Sequence, residues 1–159
     1  MSKKLVAYFS VSGNTKKLAG EIASMLDADT YEILPKEEYT KKDINWLNPF
    51  SRCMKEFKNK TRPELADDSA NINQYDTVYV GFPIWCFIAP LVIYSFLENY
   101  DFAGKKVVLF ATAGSSGFGK TKEKLKDSVP NATLIESRVV SRNCKKEELF
   151  DWIKENEVD

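Results

Sequence analysis

The sequence predicts an α/β fold, a small doubly wound domain with a five-stranded parallel sheet and helices on both faces. Short apolar, β-prone runs alternate with stretches whose apolar residues recur at helical spacing, which is typical of right-handed βαβ units. Strands such as VVLFA are apolar almost without interruption, as expected for strands covered on both faces. A chain of 159 residues can bury a full core, so residues 1–159 are expected to form a single domain.

The predicted elements follow in order along the chain. Strands are predicted over Lys4–Phe9, Thr30–Leu34, Asp76–Phe82, Lys105–Thr112 and Thr133–Glu136, the last able to continue to Val140. The first helix follows the first strand, with one face formed by Thr15, Leu18, Ala19, Ile22, Ala23 and Leu26. Further helices are predicted over Ser51–Asn59 with Ser51 as its cap, Ala89–Tyr100, Gly119–Asp127 and Lys145–Asn156, the last with Leu149, Trp152 and Ile153 on one face.

Residues 35–74 interrupt this alternation with a long polar and aromatic connection between the second and third strands. A connection of this length in a compact domain usually has a function or is disordered. Its aromatic residues Tyr39, Trp46 and Phe50 either pack into the core or fold over a ligand bound at the edge of the sheet.

Composition and charge exclude several classes of protein. The chain balances 23 basic residues against 23 acidic ones, which argues against nucleic acid or an anionic membrane as the main partner. It lacks both an apolar run of the roughly 20 residues that a membrane span needs and a signal-peptide pattern, so a cytoplasmic location is expected. Three cysteines without a C-x-x-C pair fit reduced thiols, and the lack of histidine removes most zinc sites and the usual Ser-His and Cys-His catalysis. No catalytic or metal-binding residue is assigned.

Two loops compete as phosphate-binding elements. SVSGNT, at Ser10–Thr15, follows the first strand and opens the first helix. Its hydroxyl and amide side chains, together with backbone N–H groups at a helix start, favour a phosphate that is held rather than transferred. An ordinary polar turn with an N-cap is the alternative.

The second loop, GSSGFGKT at Gly114–Thr121, matches the phosphate loop of nucleotide triphosphatases. A working loop of that kind needs an Asp at the end of a second strand to hold Mg²⁺. The one strand predicted after Thr121, ATLIE, ends in Glu136, and the remaining residues cannot complete such a domain. A P-loop NTPase is therefore a minor alternative, and the three glycines of the loop instead let its backbone approach a ligand closely.

The loop between these two is GFPIWCFIAP, at Gly81–Pro90, and it is unusually apolar and aromatic. All three loops follow strands and are expected at one sheet edge, where they would line one crevice. A held phosphate, a planar ring and bare backbone groups match the shape of flavin mononucleotide, FMN. The alternative is that Trp85 and its neighbours simply cap the core.

Four segments, YFSVSGNTKKLA, YDTVYVGFPIW, FLENYDFAGKKVVLFATAGSSG and RPEL, together resemble the flavodoxin-like FMN-binding proteins. The resemblance is greatest to single-domain bacterial flavodoxins with PIWW and TSGGSG loops, and it covers nearly the whole chain. It implies strand order 2-1-3-4-5, FMN as cofactor, and an electron carrier rather than an enzyme, taking one or two electrons between redox proteins. The other expectations are a monomer or weak dimer with no nucleic acid and no membrane as partner.

The same resemblance implies a set of binding residues. The phosphate would be held by Ser10, Ser12, Gly13, Asn14 and Thr15. The flavin ring would lie along Pro83, Ile84, Trp85 and Cys86, with Trp85 stacking on it. The other side and the pyrimidine edge would be lined by Thr112, Ala113, Gly114, Ser115 and Gly117. Lys120 and Thr121 would then form a solvent-facing first turn of the next helix.

Three departures from the family pattern bear on function. Cys86 stands where these flavodoxins have Trp, so it either packs without a special role or acts as a thiol beside the flavin. Ala113 and Ser115 replace Ser and Gly in a loop whose contacts are mainly backbone. The chain is neutral where flavodoxins are strongly acidic, which weakens the expectation of docking on basic partners.

The alternative activity is that of an FMN-dependent NAD(P)H oxidoreductase of the quinone reductase type. A carrier needs an accessible flavin edge, whereas an enzyme needs a substrate pocket beside it. Residues 35–74 are expected to decide between them.

Overall fold

The computed structural model describes residues 3–45, 47–85, 89–112, 121–140 and 144–157, with the backbone alone for residues 136–139. Its strands are β1 (Lys4–Tyr8), β2 (Asp29–Glu32), β3 (Thr77–Pro83), β4 (Lys106–Thr112) and β5 (Thr133–Val140). Its helices are α1 (Asn14–Leu26), α2 (Arg52–Asn59), α3 (Leu91–Asn99), α4 (Thr121–Leu125) and α5 (Lys146–Glu157). The strands form one parallel sheet in the order β2-β1-β3-β4-β5, which confirms the predicted fold.

The core lies on both faces of this sheet because alternate strand residues point to opposite sides. On one face, Val78, Val80 and Leu109 pack with apolar residues of α3. On the other face, Tyr79 and Phe110 pack with residues of α1 and α5. Central strands covered in this way require the continuous apolar sequence that predicted them.

The prediction left two possible ends for the fifth strand, Glu136 and Val140. The longer extent is the one observed, because pairing with β4 continues to Thr112 and Val140 after a register shift between Leu109 and Phe110. β5 lies at the edge of the sheet, where backbone pairing with one neighbour suffices. The remaining bounds agree to within about one or two residues at most ends.

Two helix predictions are refined. The helix expected to end at Asp127 is shorter, since α4 gives way to a 3₁₀ turn over Lys126–Ser128. Ser51 occupies the cap position of α2, but its side chain makes no capping hydrogen bond and its Oγ lies 3.5 Å from the Sγ of Cys53.

Residues 36–64, termed the excursion, form a loop that leaves and returns at the carboxyl end of β2. An antiparallel bridge joins Pro35 to Leu65 at its base. The N–H of Lys36 donates to the carbonyl of Glu64 at 2.8 Å, and the N–H of Ala66 donates to the carbonyl of Leu34 at 2.8 Å. The excursion contains α2 and begins one residue after the bridge. It is therefore anchored at the edge of the sheet where ligands of such folds bind.

Candidate functional site

The ends of β1, β3 and β4 lie side by side at the carboxyl edge of the sheet. The N–H of Phe9 donates to the carbonyl of Gly81 at 2.9 Å, and the N–H of Ile84 donates to the carbonyl of Thr112 at 3.2 Å. Pro83 is the register partner of Thr112. The described starts of the three loops that the sequence singled out therefore share one edge.

The first loop has the backbone geometry of an anion-binding turn. Gly13 adopts φ 93° and ψ −11°, a left-handed conformation that favours glycine. Its N–H donates to Ser10 Oγ at 3.1 Å, and its carbonyl accepts the N–H of Lys17 at 3.0 Å. No side chain caps α1 and its first turn contains no acidic residue. The amides of residues 14–16 are thus open at the positive end of a 13-residue helix.

The side chains of this loop differ in their surroundings. Ser12 and Asn14 are exposed and Ser10 is half-buried. Thr15 is buried, and its hydroxyl lies 2.7 Å from the hydroxyl of Thr112, so these two groups share a hydrogen bond. This bond ties the start of α1 to the end of β4. It brings together one residue predicted for the phosphate and one predicted for the opposite side of the ring.

The middle loop carries Trp85 into an aromatic cluster with Phe9 and Tyr39. The Trp85 ring meets Phe9 edge-on at a centroid distance of 5.5 Å and meets Tyr39 edge-on at 5.1 Å. Phe9 and Tyr39 are 5.6 Å apart. Such edge-to-face pairs stabilise a defined ring orientation. Trp85 remains half-buried, so it packs on the core and still presents surface at the edge.

The three aromatic residues considered for the excursion have different positions. Tyr39 is buried, with 9% of its surface exposed, and packs on the cluster. Phe50 is 78% exposed and belongs to the outer surface of the excursion. Trp46 lies outside the described residues.

Tyr39 is fixed from the excursion side by two charged residues. Its hydroxyl donates to Glu56 Oε2 at 2.6 Å, and Arg52 Nε donates to Glu56 Oε1 at 2.8 Å. The Arg52 guanidinium also lies 3.9 Å from the centre of the Tyr39 ring. Burial, followed by the hydrogen bond to Glu56, raises the pKa of Tyr39, so the phenol stays protonated and donates. The charge of the buried Glu56 is compensated by the half-buried Arg52.

Two cavities flank the first loop. One, of about 210 Å³, lies between the loop and the excursion and is lined by Phe9, Ser10, Val11, Glu32, Leu34, Pro35, Glu38 and Tyr39. The other, of about 330 Å³, lies toward α5 and is lined by Asn14, Lys17, Leu18, Glu21, Thr112, Cys144, Lys146 and Leu149. Lys17 was not among the predicted site residues. The available signal was its spacing, since it lies one helical turn after Asn14.

One prediction at this edge is wrong, and several of the predicted residues lie outside the described part of the chain. Thr121 was expected to face solvent, but it is fully buried, because α4 turns it and Leu125, four residues later, toward the core. The residues outside the described part of the chain are Cys86, Ala113, Gly114, Ser115, Gly117 and Lys120. Within residues 3–157 as described, no three His, Cys, Asp or Glu residues are grouped as a metal site. No described helix has the length and apolar character needed to cross a bilayer.

Comparison with known proteins identifies a matching family and similar solved structures. A family model described as Flavodoxin matches residues 3–156. The chain is 34% identical to a candidate flavoprotein from Bacteroides eggerthii DSM 20697, with 100% of both chains covered and a TM-score of 0.89. It is 38% identical to a candidate flavoprotein from Bacteroides uniformis ATCC 8492, covering 96% of this chain and 98% of that one, with a TM-score of 0.87.

A more distant structure shares the fold. A flavoprotein from Lactobacillus acidophilus NCFM, solved in complex with FMN, is 22% identical over 96% of this chain and 99% of its own, with a TM-score of 0.68. No curated protein matches the chain.

Proposed function

Because this chain belongs to the flavodoxin family, we propose that it binds FMN at the carboxyl edge of its sheet and carries electrons between redox proteins. The observation that carries the proposal is the left-handed Gly13 at the uncapped start of α1, beside the half-buried Trp85. The first feature suits a phosphate and the second suits a planar ring. The two features follow β1 and β3, which are neighbouring strands of the sheet.

The phosphate would be held mainly by backbone amides of residues 14–16, since the Gly13 N–H is engaged with Ser10 Oγ. Ser12 and Asn14 are exposed at the same turn and can add hydrogen bonds. Thr15 is engaged with Thr112, so its hydroxyl has less to offer a ligand than its amide does. Lys17, on the wall of the neighbouring cavity, places a positive charge within one helical turn of the cradle. A dianion is therefore favoured by the helix dipole and by one nearby cation.

The ring would lie along Pro83, Ile84 and Trp85. When bound, FMN supplies the redox chemistry, since it stores the electrons that the side chains cannot. Phe9 and Tyr39 hold Trp85 from behind and exclude water from that side. The one guanidinium behind them, Arg52, is paired with Glu56 and adds no net positive charge. Additional negative charge at this edge is therefore poorly compensated, and we expect the second electron to be added at a potential more negative than for free FMN.

A carrier is favoured over an oxidoreductase by the small size of the cavity between the first loop and Tyr39, next to the proposed ring site. The cavity between the first loop and Tyr39 is about 210 Å³. Sites for small molecules and cofactors typically occupy roughly 300–1,000 Å³. With Tyr39 packed on Trp85, the excursion supports the aromatic loop instead of forming a substrate pocket for a dinucleotide.

The proposal is tested in two steps. The purified protein, saturated with FMN and then desalted, should retain the visible absorption of a bound flavin, and a colourless protein contradicts FMN binding. Stopped-flow mixing of the loaded protein with NADH or NADPH should give no rapid bleaching. Rapid direct reduction would identify the oxidoreductase instead, while leaving FMN binding intact. Release of phosphate from ATP by a colourless protein would restore the NTPase alternative.

The stacking role of Trp85 has its own variant. Trp85→Ala should weaken FMN binding by about tenfold or more, because aromatic stacking contributes about 1–3 kcal/mol per base in comparable planar ligands. Trp152→Phe is a control, since Trp152 is buried among α5 and sheet residues and does not line the proposed ring site. Equal loss of FMN affinity in both variants would contradict a specific role for Trp85.

A further inference from the structure

The outer part of the excursion has a net positive charge, although the net charge of the whole chain is zero. Residues 40–62, termed the basic segment, contain seven basic residues and two acidic ones, whereas the rest of the chain contains 16 and 21. Arg52 pairs with Glu56, and Arg62 pairs with Glu98. The remaining basic residues are exposed lysines that form no ion pair within the described residues: Lys41, Lys42, Lys55, Lys58 and Lys60.

Hydrogen bonds and ring contacts connect the basic segment to the candidate site. Arg52 Nη1 donates to the carbonyls of Glu37 and Glu38, at 2.8 and 3.2 Å. The N–H of Cys53 donates to the carbonyl of Asp43 at 2.8 Å, which holds the turn that contains Lys41 and Lys42 against α2. Arg52 also covers the ring of Tyr39, and Tyr39 contacts Trp85. These two contacts connect the basic segment to the proposed flavin edge.

The same surface exposes large apolar side chains among the lysines. Leu47 is 74% exposed, Phe50 is 78% exposed and Phe57 is 37% exposed. Its two carboxylates offset few of the lysines, because Glu56 is paired with Arg52 and only Asp43, which accepts the N–H of Thr40, is left to offset one lysine charge. Apolar anchors within a charged surround are typical of sites that bind another protein.

We propose that the basic segment is the docking surface for a redox protein with an acidic face. The inference rests on the proposed function, because a carrier must bring its partner close to the flavin. Complementary charge accelerates encounter and selects the partner, and the exposed apolar residues then provide contact area. Glu37 and Glu38 are exposed at the base of the excursion and limit the positive field to its outer part.

The test is a titration of the isotope-labelled protein, followed by amide NMR, with cytochrome b5 as an acidic haem protein and cytochrome c as a basic one. Cytochrome b5 should shift resonances of residues 40–62, and its affinity should fall as salt shortens the Debye length from about 30 Å at 10 mM to about 8 Å at 150 mM. The combined variant Lys41→Gln, Lys55→Gln and Lys58→Gln should weaken binding by roughly tenfold at low salt. The matched control, Lys122→Gln, Lys126→Gln and Lys154→Gln, removes three exposed lysines outside the excursion and should change it by less than about twofold.

Three outcomes would overturn the docking surface. They are no binding of cytochrome b5, equal or tighter binding of cytochrome c, and equal weakening by the two sets of substitutions. Vesicles with about 30% phosphatidylserine form a separate arm, and tighter retention on them than on cytochrome b5 would assign the surface to a membrane instead. Visible absorption is recorded before each titration, so failure to hold FMN is seen separately from failure to dock.

Discussion

Two parts of the molecule meet at the candidate site, and different interactions hold them in place. The frame, which consists of the carboxyl ends of β1, β3 and β4, is positioned by the backbone ladder and by buried contacts such as Gly81 against Phe110. The excursion is anchored at its base by backbone hydrogen bonds, but its contact with Trp85 is positioned by side chains, through Tyr39 and the pair of Arg52 and Glu56. Changes in the frame should therefore cost global stability, whereas changes in the excursion should alter the site and its partners while the fold survives.

The most severe expected effect belongs to the frame. A Cβ added at Gly81 would lie 2.2 Å from Phe110 Cζ and 2.3 Å from Cε2, in a fully buried part of the sheet. Gly81→Ala should therefore lower the free energy of unfolding by about 3 kcal/mol, at the upper end of overpacking costs. Urea denaturation measures it.

Two further variants isolate the cause. Gly20→Ala is the matched control, because Gly20 lies within α1 with open space around it, and this change should stabilise by about 0.5–1 kcal/mol. The double variant Gly81→Ala with Phe110→Leu should lose less stability than the two single changes together. Strict additivity would show that ring contact is not the origin of the cost.

The second effect tests the excursion. Tyr39→Phe removes one of the two side-chain donors described for the buried Glu56 carboxylate, so we expect a loss of about 2 kcal/mol in unfolding free energy. Because Tyr39 supports Trp85, the tryptophan emission and the affinity for FMN should change as well. Tyr39→Phe and Glu56→Gln should couple in a double-mutant cycle by about 1–2 kcal/mol.

The control for this variant is Tyr75→Phe. The hydroxyl of Tyr75 also donates to a carboxylate, Asp29 Oδ2 at 2.8 Å, and burial with this bond raises the pKa of Tyr75 to about 12. Asp29 is exposed, however, so water can replace the lost donor and the cost should be about 0.5 kcal/mol, without any effect on FMN. Equal costs at Tyr39 and Tyr75 would contradict the buried network as the anchor of the excursion.

This contrast also explains what sequence could and could not predict. The frame follows from local pattern, since apolar strands such as β3 and β4 specify their own burial and the glycine of SVSGNT specifies its turn. The sequence could not decide whether Tyr39 packs into the core or covers a bound ring, because both roles require an aromatic residue. Its support of Trp85 was therefore not predictable. The pairing of Arg52 with Tyr39 and Glu56 depends on the path of the excursion, which no periodicity encodes.

Burial of Thr121 was missed for a related reason. Its neighbours in GSSGFGKT are small or polar and suggest a solvent-facing turn, but α4 directs both Thr121 and Leu125 inward. A short helix has too few residues to reveal its buried face by pattern alone. Lys17 was not predicted, because the loop pattern indicates only neutral donors. Helical spacing nevertheless places Lys17 on the same side of α1 as Asn14.

The third effect separates backbone strain from ligand binding at the frame. Gly13 and Gly104 both have left-handed backbones, with φ of 93° and 76°, and a Cβ at either would meet nothing within 4 Å. Alanine at each should therefore cost about 1–2 kcal/mol of unfolding free energy. Only Gly13→Ala should also weaken FMN binding, by about tenfold or more, because its Cβ would enter the space proposed for the phosphate. Unchanged FMN affinity in Gly13→Ala would place the phosphate elsewhere.

The smallest expected effect lies at the end of the sheet opposite the frame, where an ionised side chain of α5 contacts Lys4 of β1 and Tyr79 of β3. Glu157 accepts from Tyr79 at 2.6 Å and pairs with Lys4. Burial raises the pKa of Glu157, but hydrogen bonds from Lys4 and Tyr79 outweigh it, so the net pKa lies below its usual value. A lowered folded-state pKa stabilises the protein above the unfolded-state pKa, and this contribution is lost as pH falls through the folded-state value.

Glu157→Gln should accordingly cost about 1 kcal/mol at pH 7, reduced from the value for a fully buried charge because the side chain is 29% exposed. As the pH falls through the lowered folded-state pKa of Glu157, the wild-type carboxyl becomes protonated, so the difference between the two proteins should shrink toward zero. Urea denaturation at pH 7 and at a series of decreasing pH values measures this, and Glu155→Gln, an exposed neighbour on α5, should change stability by less than about 0.5 kcal/mol throughout. A pH-independent cost in Glu157→Gln would mean that packing at the end of α5, and not the charge of Glu157, secures this end of the sheet.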